Sequence, residues 1–144
     1  MHQHEEKQAM RKDYGPLTVE SLVRFAKDYR NVSTGDIRRK FAEASGNGCI
    51  HLPDPNVEIL HGLSPLAMEV VDEALRSQLL HLHPSSVLVY LCDGAPFPRD
   101  MPMATKKPPK VGYKKPRWVP VVLYPGASCG SKDCPGKFGW GAKR

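Results

Sequence analysis

The sequence lacks any apolar run long enough to span a bilayer; its longest, residues 87–92, is far short of the roughly 20 residues a spanning helix needs. Its first residues are polar and of mixed charge, with no basic start leading into an apolar stretch, so no export signal is read and the expected place is the cytoplasm. Cysteine is scarce, and in a reducing compartment Cys49, Cys92, Cys129 and Cys134 are expected as free thiols. No segment repeats, which sets aside solenoids and propellers. No nucleophile beside a base, no paired carboxylates and no phosphate-cradling glycine loop has local support, so no catalytic residue is assigned and no enzyme is expected. His51, Asp54, Glu58 and His61 fall close together, but Pro53 and Pro55 leave their common facing unset. Cys129 and Cys134 have a spacing that zinc tolerates. A closed site needs four ligands, however, and no second Cys or His pair follows, so no metal and no cofactor is expected. Only the fold could bring His51, His81 or His83 to complete such a site.

The most informative scarcity is that of acid beyond residue 100. Residues 101–144 carry 10 Lys/Arg and a single acid, Asp133, a net +9, whereas residues 1–100 carry 11 Lys/Arg against 14 Asp/Glu, a net −3. Such segregation marks a surface that meets nucleic acid, an anionic membrane or an acidic partner. Its densest part, residues 106–117, holds Lys106, Lys107, Lys110, Lys114, Lys115 and Arg117 with Tyr113 and no anion. Phosphate neutralisation dominates nucleic-acid affinity and asks for little beyond that.

With 144 residues and a mean hydropathy of −0.44, the chain fits one globular domain, expected over residues 17–125, between a flexible arm at 1–16 and a flexible basic tail at 126–144. Thr18 can cap a helix reaching Tyr29, with Val19, Leu22, Val23 and Ala26 as its apolar stripe. Ser33 and Asp36 have capping-box spacing for a second helix over residues 34–44. There Ile37, Phe41 and Ala44 face inward, Arg38 and Arg39 outward, and Lys40 lies at the margin. Residues 45–63 read as an irregular insertion with short β-compatible pieces at 49–52 and 57–60. Ser64-Pro65 opens a third helix over residues 65–80. Residues 87–92 and 118–124 read as antiparallel strands, the second at an edge because Pro120 cannot donate to a ladder. The Pro-rich connection at 94–117 is longer than an ordinary turn.

This order of helix, turn, helix, insertion, helix, strand, long loop and strand resembles the winged-helix branch of helix-turn-helix DNA-binding proteins, over residues 17–124. The resemblance implies an α+β fold of three helices with a C-terminal β-hairpin and a long basic wing at 94–117, the third helix entering the major groove. Glu69, Asp72 and Glu73 outnumber Arg76 on that helix, a net −2, the wrong sign for lying among phosphates. The DNA-facing role therefore passes to Arg38, Arg39 and Lys40, one turn beyond a helix N-terminus, and to the wing residues Lys106, Lys107, Lys110, Tyr113, Lys114, Lys115 and Arg117. The acidic helix is left for packing or homodimerisation. The expectation is a DNA-binding transcriptional regulator on duplex DNA. Two alternatives stay open: a protein-binding adaptor or inhibitor whose basic loop docks on an acidic partner, and an RNA-binding protein that stacks bases on Tyr113, Trp118 and Trp140.

Overall fold

A computed structural model describes residues 2–52, 56–104 and 113–128. Asp54, Lys106, Lys107, Lys110, Cys129, Cys134 and Trp140 lie outside the described residues. The segment expected as an N-terminal arm contains a helix, α1 (His2–Arg11), which packs on α2 (Val19–Tyr29). Ala9 and Tyr14 are buried, and the Tyr14 hydroxyl donates to Asp28 Oδ2 at 2.6 Å while its ring meets Phe25 edge-on. Helix α2 begins where Thr18 and Ser21 satisfy each other's backbone N–H groups. Ser33 and Asp36 make the same reciprocal cap at the start of α3 (Thr34–Lys40). The second helix ends four residues before the expected Ala44, because Phe41 adopts extended backbone and a single 3₁₀ turn, Ala42–Ala44, follows.

The expected irregular insertion is a regular element. Strand β1 (Ser45–His51) pairs antiparallel with β2 (Val57–Leu63), matching Ile50 with Ile59 and His51 with Glu58. Helix α4 (Pro65–Arg76) starts on the Ser64 cap and stops short of the expected residue 80. Gln78, at φ 60°, takes the left-handed conformation that lets the Leu79 N–H reach back to the Ala74 carbonyl at 3.0 Å. The chain then enters β3 (Leu80–Pro84).

Residues 87–92, expected as a strand, form helix α5 (Val87–Asp93), closed by Gly94 in the left-handed region at φ 68°. The reason is competition for one edge. Strand β5 (Val121–Pro125) pairs antiparallel with β3, Leu82 opposite Leu123, so its ladder position is filled by residues 80–84. With that edge taken, the apolar run folds on itself and buries Tyr90, whose hydroxyl donates to the Val121 carbonyl at 2.9 Å. A short strand, β4 (Arg117–Trp118), precedes β5 and runs parallel to β2. The α+β class stands. The hairpin that would define a wing is replaced by a three-stranded sheet, β1-β2-β4, and a two-stranded sheet, β3-β5.

The main core holds Leu22 and Phe25 of α2, Ile37 of α3, Ile59 of β2, Leu75 of α4 and Leu123 of β5, all fully buried, while Tyr90, Ala95 and Trp118 form a second cluster. Among the described residues no helix is long and apolar enough to cross a membrane. Gly62, near the end of β2, has φ 89°, and a Cβ there would run into the Pro96 ring. Gly62→Ala is therefore expected to destabilise the fold by about 1–3 kcal/mol through backbone strain and this clash. Urea denaturation checks it, and an unchanged midpoint would show that the close approach does not matter.

Candidate functional site

The outward face of the β1–β2 hairpin gathers the chemistry that the sequence scatters. Cys49 and His51 are two apart on β1 and share a face, with Ile50 between them turned into the core. Glu58 and His61 are three apart on β2, a spacing that a regular strand would send to opposite faces. Strand β2 is not regular. Gly48 is matched with Leu63 but Ile50 with Ile59, so β2 spends two extra residues between these pairs, and both Leu60 (φ 52°) and Gly62 (φ 89°) are left-handed. This bulge brings His61 to the side of Glu58.

The result is a connected group. The Cys49 thiol donates to Glu58 Oε1 at 3.4 Å, His51 Nε2 lies 3.7 Å from Cys49 Sγ, and His61 Nε2–H donates to Glu58 Oε1 at 3.0 Å. The ligand atoms of Cys49, His51 and Glu58 all lie within 4.8 Å of one another. Burial, reinforced by the hydrogen bond to Glu58 and its charge, pushes the Cys49 thiol up to about 12. It keeps its proton at neutral pH and is no thiolate nucleophile. Burial alone would raise Glu58, but hydrogen bonds from His61 and Cys49 and the two nearby imidazoles outweigh it and hold the carboxyl below its ordinary value. Burial lowers His61 against the opposing pull of Glu58, so their contact is a hydrogen bond of a neutral imidazole rather than an ion pair. His61 Nδ1 is buried with no hydrogen-bond partner among the described residues.

The cations of α3 are engaged inside the chain. Arg38 Nε donates to Ser45 Oγ at 3.2 Å, and Lys40 Nζ donates to the Met10 carbonyl at 2.9 Å and lies over the Tyr14 ring. Arg39 bonds both the buried Asp36 carboxylate and the Asp93 carbonyl, which ties α3 to the end of α5. The second basic set is held differently. Asn56, in the turn before β2, donates from Nδ2 to the Tyr113 carbonyl at 2.7 Å and accepts the Arg117 N–H at 2.9 Å, with the Arg117 guanidinium over the Tyr113 ring. Lys114 and Lys115 are exposed. On the other side of the long connection, the Ala104 N–H donates to the Trp118 carbonyl at 2.8 Å and the Trp118 N–H to the Pro102 carbonyl at 3.2 Å. Residues 104 and 117 thus lie side by side. Arg117 pairs with Val57 at one end of β2 while Arg38 reaches Gly62 at the other, so the two basic sets are on the order of 15 Å apart along the strand. Trp118 is 3% exposed and stacked on Phe97.

Strand β3 carries a second histidine pair. His81 Nδ1 lies 2.9 Å from the Gly126 carbonyl, which can only accept, so this nitrogen carries the proton. His81 Nε2 then accepts from His83 Nε2–H at 3.0 Å. No family model matches the chain, and no curated protein or solved structure is found to match it.

Burial and then the neighbouring His81 lower the pKa of His83 from its ordinary 6.5. A lowered histidine favours the folded state above the unfolded value of about 6.5, and that contribution is lost as pH falls through it, because the unfolded chain takes up the proton first. The urea midpoint should therefore fall between about pH 7.5 and 5.5, and His83→Gln should make that fall shallower. Equal slopes for the two proteins would contradict the assignment.

Proposed function

We propose that the chain binds nucleic acid, duplex DNA first, through the basic segment at residues 106–117, and serves as a regulator of transcription. One observation carries this reading: six cations with no anion fall between two chain ends that the β2–β4 edge holds side by side. A dense run of cations without anions is what counterion release draws on. The role of a wing is kept without its hairpin. Arg38, Arg39 and Lys40 have a secondary part in this reading, since each holds a partner within the fold. The acidic α4 has none. Cys49 and Cys92, both unpaired, suit the reducing cytoplasm that the reading implies.

A second reading, a protein-binding module, is favoured by α5, which turns Leu88 and Leu91 outward at 66% and 60% exposure. These lie one turn apart on the same face and would suit a partner that is acidic and partly apolar. The RNA reading is weakened because Trp118 is buried and not offered to bases.

Fluorescence anisotropy with a labelled duplex tests the proposal. If each of the six cations neutralises one phosphate, the log-log salt slope approaches about −5, a loss of roughly 10³ in affinity between 50 and 200 mM salt. Replacing Lys106, Lys107 and Lys110 together by Ala should make the slope shallower by about 3. A flat salt response with duplex, single-stranded DNA and RNA alike would remove the nucleic-acid reading and leave the protein-binding one, which Leu88→Ser/Leu91→Ser then tests.

A further inference from the structure

We propose that Cys49, His51 and Glu58 bind a divalent transition-metal cation of the zinc class, with the fourth coordination position open to solvent or a ligand. The inference stands apart from the nucleic-acid reading and uses only the β1–β2 hairpin. Bonds of about 2.0–2.3 Å in a tetrahedral arrangement place neighbouring ligand atoms about 3.3–3.8 Å apart. The Cys49 Sγ to Glu58 Oε1 and Cys49 Sγ to His51 Nε2 separations, 3.4 and 3.7 Å, already fall in that range, and the third separation is within 4.8 Å. Only a small rotation of the exposed His51 ring is needed to close the set.

The donor set fixes the class of ion. One sulfur, one imidazole nitrogen and one carboxylate oxygen suit a borderline cation and not magnesium or calcium, which take oxygen alone. When the ion binds, the proton now shared between Cys49 Sγ and Glu58 Oε1 leaves for solvent, and thiolate plus carboxylate balance the two positive charges. The surroundings are also those of a ligand set. His61 Nε2–H holds the Glu58 carboxylate at 3.0 Å, and the His61 ring rests edge-on against the buried Trp118. Such outer partners orient ligating groups and raise the affinity of a site. The bulge at Leu60–Gly62 is what places His61 there.

The test uses the full chain, stripped with a chelator and dialysed against Zn²⁺, with Co²⁺ as the spectroscopic probe. The wild type should take up an equivalent of metal that Cys49→Ser, His51→Ala and Glu58→Gln each remove. The Co²⁺ form should show sulfur-to-metal charge transfer that disappears in Cys49→Ser. His61→Ala should weaken binding by roughly 10–100-fold without abolishing it. Circular dichroism of the metal-free variants guards against loss of fold, and if one variant fails to fold the other two still decide. Cys129→Ser/Cys134→Ser and His81→Ala should leave this equivalent in place. Metal that survives Cys49→Ser and His51→Ala but is lost with Cys129, Cys134 or His81 overturns the assignment, as does a wild type that binds no Zn²⁺.

Discussion

Strand β2 is held in a shape that its neighbours impose, and most of the molecule follows from it. Two left-handed residues, Leu60 and Gly62, interrupt a strand that is paired on both edges, with β1 on one side and β4 on the other. A leucine in that region costs energy that only a well-packed surrounding can offset, and Leu60 is fully buried in the main core. The interruption sends Leu60 and Leu63 inward while His61 stays beside Glu58 on the outer face. It also brings the backbone at Gly62 against Pro96 and Arg38, so α3 and the start of the long connection both rest on this turn.

The charges of the chain divide by what holds them. Asp36 is a buried carboxyl whose pKa is raised by burial, against the opposing hydrogen bonds from Ser33 and Tyr29 and the charge of Arg39. Around it the end of α2, the cap of α3 and, through Arg39, the end of α5 are joined. Of Asp36 and Arg39 only the Asp36 carboxyl is buried, and loss of Arg39 would leave that buried group without its charged partner. The cations of α3 therefore work for the fold. The described flanks of the basic segment are held mainly through backbone groups of Ala104, Tyr113, Arg117 and Trp118, with the Arg117 guanidinium over the Tyr113 ring.

How much of this was legible depends on the distance over which each feature is decided. The starts of α2, α3 and α4 are local, written in Thr18, Ser33 with Asp36, and Ser64-Pro65, and all three appear where those residues put them. Pro120 does interrupt the C-terminal strand region, separating β4 from β5. Residues 87–92 were not decidable locally, because a short β-branched and aromatic run has the same composition in a buried strand and in a short helix. Leu80 to His83, alternating Leu and His, is the stronger claimant for the edge of β5, and that competition is tertiary. In the cluster, the Cys49-x-His51 alternation was readable as one strand face, but the joining of Glu58 to His61 was not. Their spacing of three signals a shared face only once the bulge is known, and no residue type announces a left-handed Leu60. Pro53 and Pro55 left the common facing of these residues unset, and it is the pairing of Ser45–His51 with Val57–Leu63 that fixes it.

The proposed contact with nucleic acid falls on the basic segment at residues 106–117, flanked by the β2–β4 edge, and not on α4. Amide chemical shifts of the full ¹⁵N-labelled chain, followed as a duplex is added, measure this residue by residue. Perturbation is expected at Met103, Ala104 and Tyr113 through Trp118, with Asn56 and Val57 beside them, and little change along α4. Shifts concentrated on Glu69 to Arg76, as a helix in the major groove would give, or no shifts at all, would contradict it.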